Sequence, residues 1–171
     1  EADPNSENDF GKNIIPNFLK DKRPIYAYSF EGYWKDVGTL DSLWDANMDL
    51  LDPSDPINMR DPNFRIYARN YSQPATRIGG GAKVTNSFVA EGCTIRGNVE
   101  HSVLYTGCRI EEGAVVTGAV VMPNTIVRKG ANLSYCIVGE HCVIEEGAKI
   151  GERPENALES DWGIAVVGHQ R

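Results

Sequence analysis

The stretch that decides the fold is residues 101–151, which divide into three blocks of 17 residues: HSVLYTGCRIEEGAVVT (101–117), GAVVMPNTIVRKGANLS (118–134) and YCIVGEHCVIEEGAKIG (135–151). Within each block an aliphatic residue recurs at every sixth position, and a small residue lies two positions before it. Steps of even number keep both kinds on one side of an extended strand, whereas a helix would spread them around its circumference. The pattern predicts a solenoid with three short strands per coil.

Alignment of the blocks produces three aliphatic columns and marks two corners of the coil. The columns hold Leu104, Val121 and Val138; Ile110, Val127 and Ile144; and Val116, Leu133 and Ile150. The two corners hold Gly92, Gly107, Asn124 and His141, and Asn98, Gly113, Gly130 and Gly147. Glycine and asparagine tolerate the positive φ angles of sharp corners. The solenoid is predicted to begin near Ser72, and a sandwich of short strands is the alternative.

The cysteines all fall in the small-residue columns, at Cys93, Cys108, Cys136 and Cys142. A metal site would need close pairs such as CxxC, which the sequence lacks. We therefore interpret these cysteines as small buried residues that keep free thiols.

A second apolar row accompanies the inward columns. Its members are Phe88, Val103, Val120 and Ile137. Each precedes an inward aliphatic residue by one position, so each points to the opposite face of its strand. Soluble monomers rarely leave such a contiguous apolar patch uncovered. We expect the N-terminal part of the chain or a neighbouring subunit to cover it, and we expect a homo-oligomer.

Composition limits the possible partners. The chain of 171 residues carries 24 acidic and 17 basic side chains, a net charge of −7. This balance argues against non-specific nucleic-acid binding, which needs a basic face. No apolar run is long enough for a membrane span, and no signal peptide precedes the polar start. We expect a cytoplasmic protein without nucleic-acid or membrane partners, and the opening EADPNSENDFG is typical of an excised segment.

The chain before the solenoid indicates an α/β fragment. Residues 8–19 begin with capping residues and continue with apolar side chains at helical spacing, and Pro16 should shorten or kink this helix. Alternating aromatic residues predict a strand from Ile25 to Phe30. Thr39 is expected to N-cap a second helix that ends near residue 52.

The segment GYWKDVGT, residues 32–39, lies between the predicted strand and the second helix. Its two glycines bracket an aromatic pair, a lysine and a carboxylate, so the backbone can approach a ligand closely. A proline-containing linker follows the second helix. The predicted organisation is a fragment domain at 1–52, a linker at 53–71 and the solenoid at 72–171.

Two segments, DFGKNIIP (9–16) and GYWKDVGTLDSLWDANMDLL (32–51), followed by a hexapeptide solenoid, resemble the bacterial glucose-1-phosphate adenylyltransferases. The resemblance runs from about Asp9 to the C-terminus. It implies a mainly β protein: a left-handed parallel β-helix preceded by the C-terminal remnant of a Rossmann-like nucleotidyltransferase domain. It also implies that the Gly-rich nucleotide loop of these enzymes is missing from the sequence, so residues 1–171 alone are expected to be inactive.

The resemblance implies a reaction between ATP and glucose 1-phosphate that gives ADP-glucose and pyrophosphate for glycogen synthesis, with Mg²⁺ as cofactor. It makes Asp36 the catalytic, metal-binding residue, and it places Asp9, Phe10 and Trp34 along the glucose 1-phosphate pocket. For Asp36 the alternative is a loop carboxylate that caps the next helix. For Trp34 and Phe10 the alternative is core packing. Lys12 and Lys35 are possible phosphate contacts on charge alone.

Two alternatives for the whole protein stay open. One is a catalytically inactive regulatory subunit of the same family, although all four site residues are present. The other is a hexapeptide acyltransferase, a class that uses a histidine of the solenoid as its base and that leaves DFGK and GYWKDVG unexplained. The resemblance also implies a tetramer, or a hetero-oligomer with a related subunit, regulated by an allosteric metabolite of unknown identity.

Overall fold

The computed structural model describes residues 6–54, 56–59, 61–67, 72–154 and 163–168. The chain forms two compact units, Glu1–Gly32 and Tyr33–Arg171. The second unit contains the solenoid and the helix that precedes it.

The first unit contains the predicted N-terminal helix, which Pro16 divides into two parts. A π-helical turn, Phe10–Ile14, leads into α1, Ile15–Lys20. Proline lacks an amide hydrogen and is tolerated only in the first turn of a helix, and Pro16 lies in the first turn of α1. The helix is not shortened at this residue: it continues to Lys20, and the irregularity before Pro16 is the change from a π-helical to an α-helical turn.

The predicted strand from Ile25 to Phe30 is wrong. The structure has neither strand nor helix there, and the side chains of Tyr26 and Tyr28 are each 90% exposed. A strand is stable only when its backbone groups pair with a neighbour, and every described strand lies from Arg77 onward. Alternation of aromatic residues alone does not supply that partner.

The second unit begins at Tyr33, inside the GYWKDVG segment, and continues with helix α2, Leu40–Met48, which is followed by a 3₁₀ turn, Asp49–Leu51. Thr39 caps this helix as predicted. The Thr39 hydroxyl accepts a hydrogen bond from the Ser42 amide at 3.2 Å, and the Ser42 hydroxyl accepts one from the Thr39 amide at 3.0 Å. This reciprocal pair is a capping box, which satisfies amides that the first helical turn leaves unpaired.

In the part of the chain that the structure describes, the solenoid has three parallel sheets of five strands each, and successive coils contribute one strand to each sheet. The first sheet contains β1 Arg77–Ile78, β4 Thr94–Ile95, β7 Arg109–Ile110, β10 Ile126–Val127 and β13 Val143–Ile144. The second contains β2 Lys83–Thr85, β5 Asn98–Glu100, β8 Val115–Thr117, β11 Asn132–Ser134 and β14 Lys149–Ile150. The third contains β3 Phe88–Val89, β6 Val103–Leu104, β9 Val120–Val121, β12 Cys136–Val138 and β15 Ala165–Val167. The predicted solenoid is confirmed.

The predicted register is also confirmed. Val127 pairs with Ile110 on one side and with Ile144 on the other, and the other two columns stack in the same way. Val127 and Ile110 are completely buried and Ile144 is only 4% exposed. Burial of each such side chain contributes about 1.5–3 kcal/mol, so the stacked columns form the main core of the second unit.

Small and thiol side chains fill the space beside the columns. The Thr125 hydroxyl donates to the Gly139 carbonyl oxygen at 2.7 Å, and the Cys93 thiol donates to the Tyr105 carbonyl oxygen at 3.1 Å. All four cysteines are buried and free, as predicted. Burial raises the pKa of Cys136 to about 12, so this thiol stays protonated and unreactive near neutral pH.

The corners agree with the prediction at most positions. Gly107, Asn124 and His141 all have positive φ angles. Asn98 is the exception because it lies in β5, paired with Val115. The second corner is two residues shorter in this coil: residues 96–97 there correspond to 111–114 in the next coil.

Gly97 makes the short corner possible. A Cβ atom at this position would clash with the Ala114 carbonyl oxygen, so no other residue fits there without a shift of the backbone. A third corner was not predicted. It consists of Asn86, His101, Gly118 and Tyr135, all with positive φ angles.

The second apolar row is covered by helix α2. Met48 and Leu51 form one buried cluster with Val103, Val120 and Ile137. The Trp44 indole N–H donates to the Gly118 carbonyl oxygen at 2.7 Å, and the Tyr105 hydroxyl donates to the Asn47 side-chain oxygen at 3.0 Å. A segment from the N-terminal part of the chain therefore covers the row, and the row does not require a second subunit.

Replacing Val103 and Val120 together by lysine is expected to detach α2 and leave the coils intact. Both valines are almost fully buried beneath the helix, and each contributes about 1.5–3 kcal/mol through burial. Tryptophan fluorescence should shift to the red as Trp44 enters water, while β-sheet circular dichroism is preserved. Lysine at Val115 and Val143, which are 36% and 45% exposed on the other two sheets, is the matched control. Unchanged fluorescence in the first variant would contradict the assignment of this interface.

Candidate functional site

The GYWKDVG segment is held against helix α2 by alternate side chains. The Lys35 ammonium lies 2.6 Å from an Asp45 carboxylate oxygen and 2.7 Å from an Asp49 carboxylate oxygen. The Tyr33 hydroxyl donates to the same Asp49 oxygen at 2.7 Å. We call Tyr33, Lys35, Asp45 and Asp49 the Lys35 cluster. Because Asp45 and Asp49 are one helical turn apart, they present both carboxylates to one lysine.

The electrostatics of the Lys35 cluster favour its charged form. Burial lowers the pKa of Lys35, but the hydrogen bonds to Asp45 and Asp49 outweigh burial and raise it above its usual range. Burial raises the pKa of Asp49, but the hydrogen bonds from Lys35 and Tyr33 outweigh that effect and lower it. Lys35 is therefore engaged by two carboxylates of its own chain. This arrangement argues against the expectation that Lys35 contacts a substrate phosphate.

The lowered pKa of Asp49 predicts an acid-dependent loss of stability. A carboxyl group whose pKa is lower in the folded state stabilises the fold above its unfolded pKa, about 3.9. That contribution is lost as the pH falls through the lowered folded value. Wild-type protein and Asp49→Asn should therefore differ in urea-unfolding free energy at pH 6, and the difference should shrink below about pH 4. A difference that is constant with pH would show that Asp49 is not ionised in the cluster.

Trp34 and Asp36 alternate in sequence with Tyr33 and Lys35, and their side chains are exposed. The Trp34 side chain is 75% exposed, and the Asp36 carboxylate has no hydrogen bond or ion pair with any residue that the structure describes. The cap of α2 is Thr39, so the interpretation of Asp36 as a helix cap is wrong. Trp34 does not pack into the core formed by the described residues, so the packing alternative is not observed there either.

Asp9 and Phe10 belong to the first unit. An Asp9 carboxylate oxygen accepts a hydrogen bond from the Lys12 amide at 2.7 Å, so Asp9 N-caps the π-helical turn. Phe10 is 71% exposed. The Lys12 ammonium forms a surface ion pair with Glu7 at 3.0 Å. The structure thus brings Asp9 together with Phe10, and Trp34 together with Asp36, each pair within its own unit.

The described residues contain neither a self-contained metal site nor a membrane-spanning helix. Within the described ranges, no three or more histidine, cysteine, aspartate or glutamate side chains gather in a way that could hold a metal ion by themselves. None of the helices in that part of the chain is long and apolar enough to cross a membrane.

Comparison with known proteins agrees with this architecture. Residues 74–167, more than half of the chain, match the family described as GlmU-like, C-terminal hexapeptide. The chain belongs to this family. Residues 1–53 match the nucleotidyl transferase family, which supports the interpretation of the N-terminal part as a domain remnant.

Among similar proteins are glucose-1-phosphate adenylyltransferases of three Bacillus strains: Bacillus mycoides (strain KBAB4), Bacillus cereus (strain ATCC 10987 / NRS 248) and Bacillus anthracis. Each is 47% identical to this chain over 156 residues. The alignment covers 91% of this chain and 41% of each relative. The predicted resemblance to adenylyltransferases is confirmed, and the chain spans about two fifths of the length of these relatives.

Sequence reasoning did not find the Lys35 cluster. The signal was present, because Asp45 in α2 and Asp49 at its C-cap are four residues apart and therefore share a helix face. The spacing of the two aspartates did not show which basic residue binds them. Lys35 lies outside the helix, and its contacts depend on how the preceding loop folds back.

Proposed function

We propose that the complete protein is an adenylyltransferase that forms ADP-glucose and pyrophosphate from ATP and glucose 1-phosphate in glycogen synthesis. The observation that carries this proposal is the exposed carboxylate of Asp36 in the GYWKDVG loop, which has no partner among the described residues, within a chain that matches enzymes of that name over 91% of its length. The sequence also contains Trp34, Asp9 and Phe10, which favours an active enzyme over an inactive regulatory subunit.

The donor chemistry of Asp36 fits Mg²⁺. Mg²⁺ in phosphate-transferring enzymes is commonly bound by one or two carboxylates together with substrate phosphates and water. Among the described residues, no cation and no hydrogen-bond donor engages the Asp36 carboxylate, so its oxygens are available to a metal ion. When bound, Mg²⁺ supplies positive charge that neutralises the polyphosphate as pyrophosphate leaves.

The other residues act on the sugar. The exposed Trp34 ring can pack on the apolar face of the glucosyl group, and Phe10 offers a second exposed ring. The Asp9 carboxylate accepts a hydrogen bond from the Lys12 amide. Its remaining lone pairs can accept hydrogen bonds from sugar hydroxyls. In the reaction, a phosphate oxygen of glucose 1-phosphate attacks the α-phosphorus of ATP. The bond from that phosphorus to the oxygen bridging to the β-phosphate breaks, and the electron pair leaves with pyrophosphate.

The test is pyrophosphate release by the full-length protein with ATP, glucose 1-phosphate and Mg²⁺. We expect turnover with this pair and at least a tenfold lower kcat/KM with UTP or with galactose 1-phosphate. Turnover with another pair of substrates would identify a different nucleotidyltransferase. Absence of turnover would favour the regulatory subunit. The homo-oligomer expected from the apolar row, and the tetramer and allosteric metabolite implied by the resemblance, stay predictions.

A further inference from the structure

The GYWKDVG loop has two sides with different surroundings. Tyr33 and Lys35 are bound to helix α2, whereas Trp34 and Asp36, each one residue further along, are exposed. Successive side chains of an extended segment point in opposite directions, and side chains two positions apart share one direction. Contacts made by one set therefore determine the direction in which the other set points.

Helix α2 is itself fixed on its other side. Trp44 bonds to the Gly118 carbonyl oxygen at 2.7 Å, and Met48 and Leu51 are buried against the third sheet. Asp45 and Asp49, which bind Lys35, directly follow Trp44 and Met48 in sequence. Adjacent helix positions are about 100° apart, so α2 uses one face for the solenoid and a neighbouring face for the loop.

Lys35 is the main connection between this helix and the loop. Its ammonium group makes two short contacts with carboxylates, and its side chain is 24% exposed. Without Lys35, the two carboxylates one turn apart would repel each other, since like charges at this spacing are unfavourable. The Tyr33 hydroxyl would then be the one remaining polar side-chain contact from the loop to α2 among the described residues.

We propose that Lys35 is a positioning residue, which ties the loop to the solenoid-anchored helix and so fixes the direction of Trp34 and Asp36 toward the substrate. This inference rests on the proposed function. It assigns Lys35 a role through its neighbours, in contrast to the direct phosphate contact that its charge suggests. A displacement of about 1 Å in a reacting group can lower a rate about a hundredfold, so loosening the loop should affect catalysis more than folding.

The first experiment measures the loop without any substrate. Full-length protein is labelled with 5-fluorotryptophan, and its ¹⁹F signals are assigned by substituting each tryptophan. In Lys35→Met we expect the Trp34 signal to narrow and move toward the position of an unstructured tryptophan. The Trp44 signal should not move, and it also reports that the variant is folded. Asp49→Asn should shift the Trp34 signal in the same direction, and Lys149→Met, an exposed lysine on the second sheet, should not.

The second experiment measures turnover with the same variants. We expect Lys35→Met to lower kcat by about ten- to a hundredfold and to raise the Mg²⁺ concentration needed for half-maximal activity. Lys35→Arg should recover part of the loss because it keeps the charge. An unchanged Trp34 signal in Lys35→Met would overturn the proposal, and so would a shifted signal with unchanged kcat. If the wild-type protein has no turnover, the proposed function fails, and the ¹⁹F signal alone still decides whether Lys35 holds the loop.

Discussion

Replacing Val127 by aspartate is expected to unfold the solenoid. Val127 is completely buried and lies between Ile110 and Ile144 in the first sheet. Burying an unpaired polar group costs about 2–7 kcal/mol, and a charge costs more. A typical domain has a total stability of about 5–15 kcal/mol, so this single change consumes most or all of it. A central coil has neighbours on both sides, which leaves the carboxylate no route to water.

The measurement is thermal or urea unfolding followed by circular dichroism. Val143→Asp is the matched control, because Val143 lies in the adjacent strand of the same sheet but is 45% exposed. The control should lose less than about 1 kcal/mol, as is usual for surface substitutions. If Val127→Asp melts like the wild-type protein, the register of the columns is incorrect.

Asp36→Asn in the full-length enzyme is expected to reduce kcat by about a hundred- to a thousandfold. A bound metal ion contributes several kcal/mol of charge stabilisation in the transition state, and each 1.36 kcal/mol corresponds to a factor of about ten in rate. Asparagine has the same shape but no charge, so it weakens metal binding without altering the packing of the loop. The melting temperature should change little, because Asp36 is exposed and makes no ion pair with a described residue.

Asp41→Asn is the control for this prediction. Asp41 is also an exposed carboxylate near the start of α2, and an oxygen of its side chain accepts a hydrogen bond from the Ile164 amide at 3.3 Å. An asparagine oxygen can accept the same bond, so activity should be retained. Near-normal kcat of Asp36→Asn at saturating Mg²⁺ would mean that Asp36 does not hold the metal.

Periodicity was sufficient for most of the fold. A solenoid repeats one local conformation, so each position of the coil requires the same kind of side chain in every block. Residues of one kind therefore recur at a fixed spacing and form a column in the aligned blocks. The three aliphatic columns, the buried cysteines and the corner of Gly107, Asn124 and His141 were readable for this reason. The cap at Thr39 was readable too, because a capping box involves residues only three positions apart. The resemblance supplied the roles proposed for Asp36 and Trp34, and those roles stay predictions.

The tertiary structure decided what depends on contacts between distant segments. The row of Val103, Val120 and Ile137 indicated that a partner exists, but its spacing did not show that the partner is α2. The strand expected at Ile25–Phe30 did not form, because strand stability comes from pairing with another segment and not from alternation alone. Lys35 illustrates the same limit at the candidate site. Its charge suggested a phosphate, and only the folded loop shows that two carboxylates of α2 already bind it. A short-range sequence pattern indicates which face of a strand or helix a side chain occupies. The residue that packs against that side chain comes from a distant part of the sequence, so only the tertiary structure identifies it.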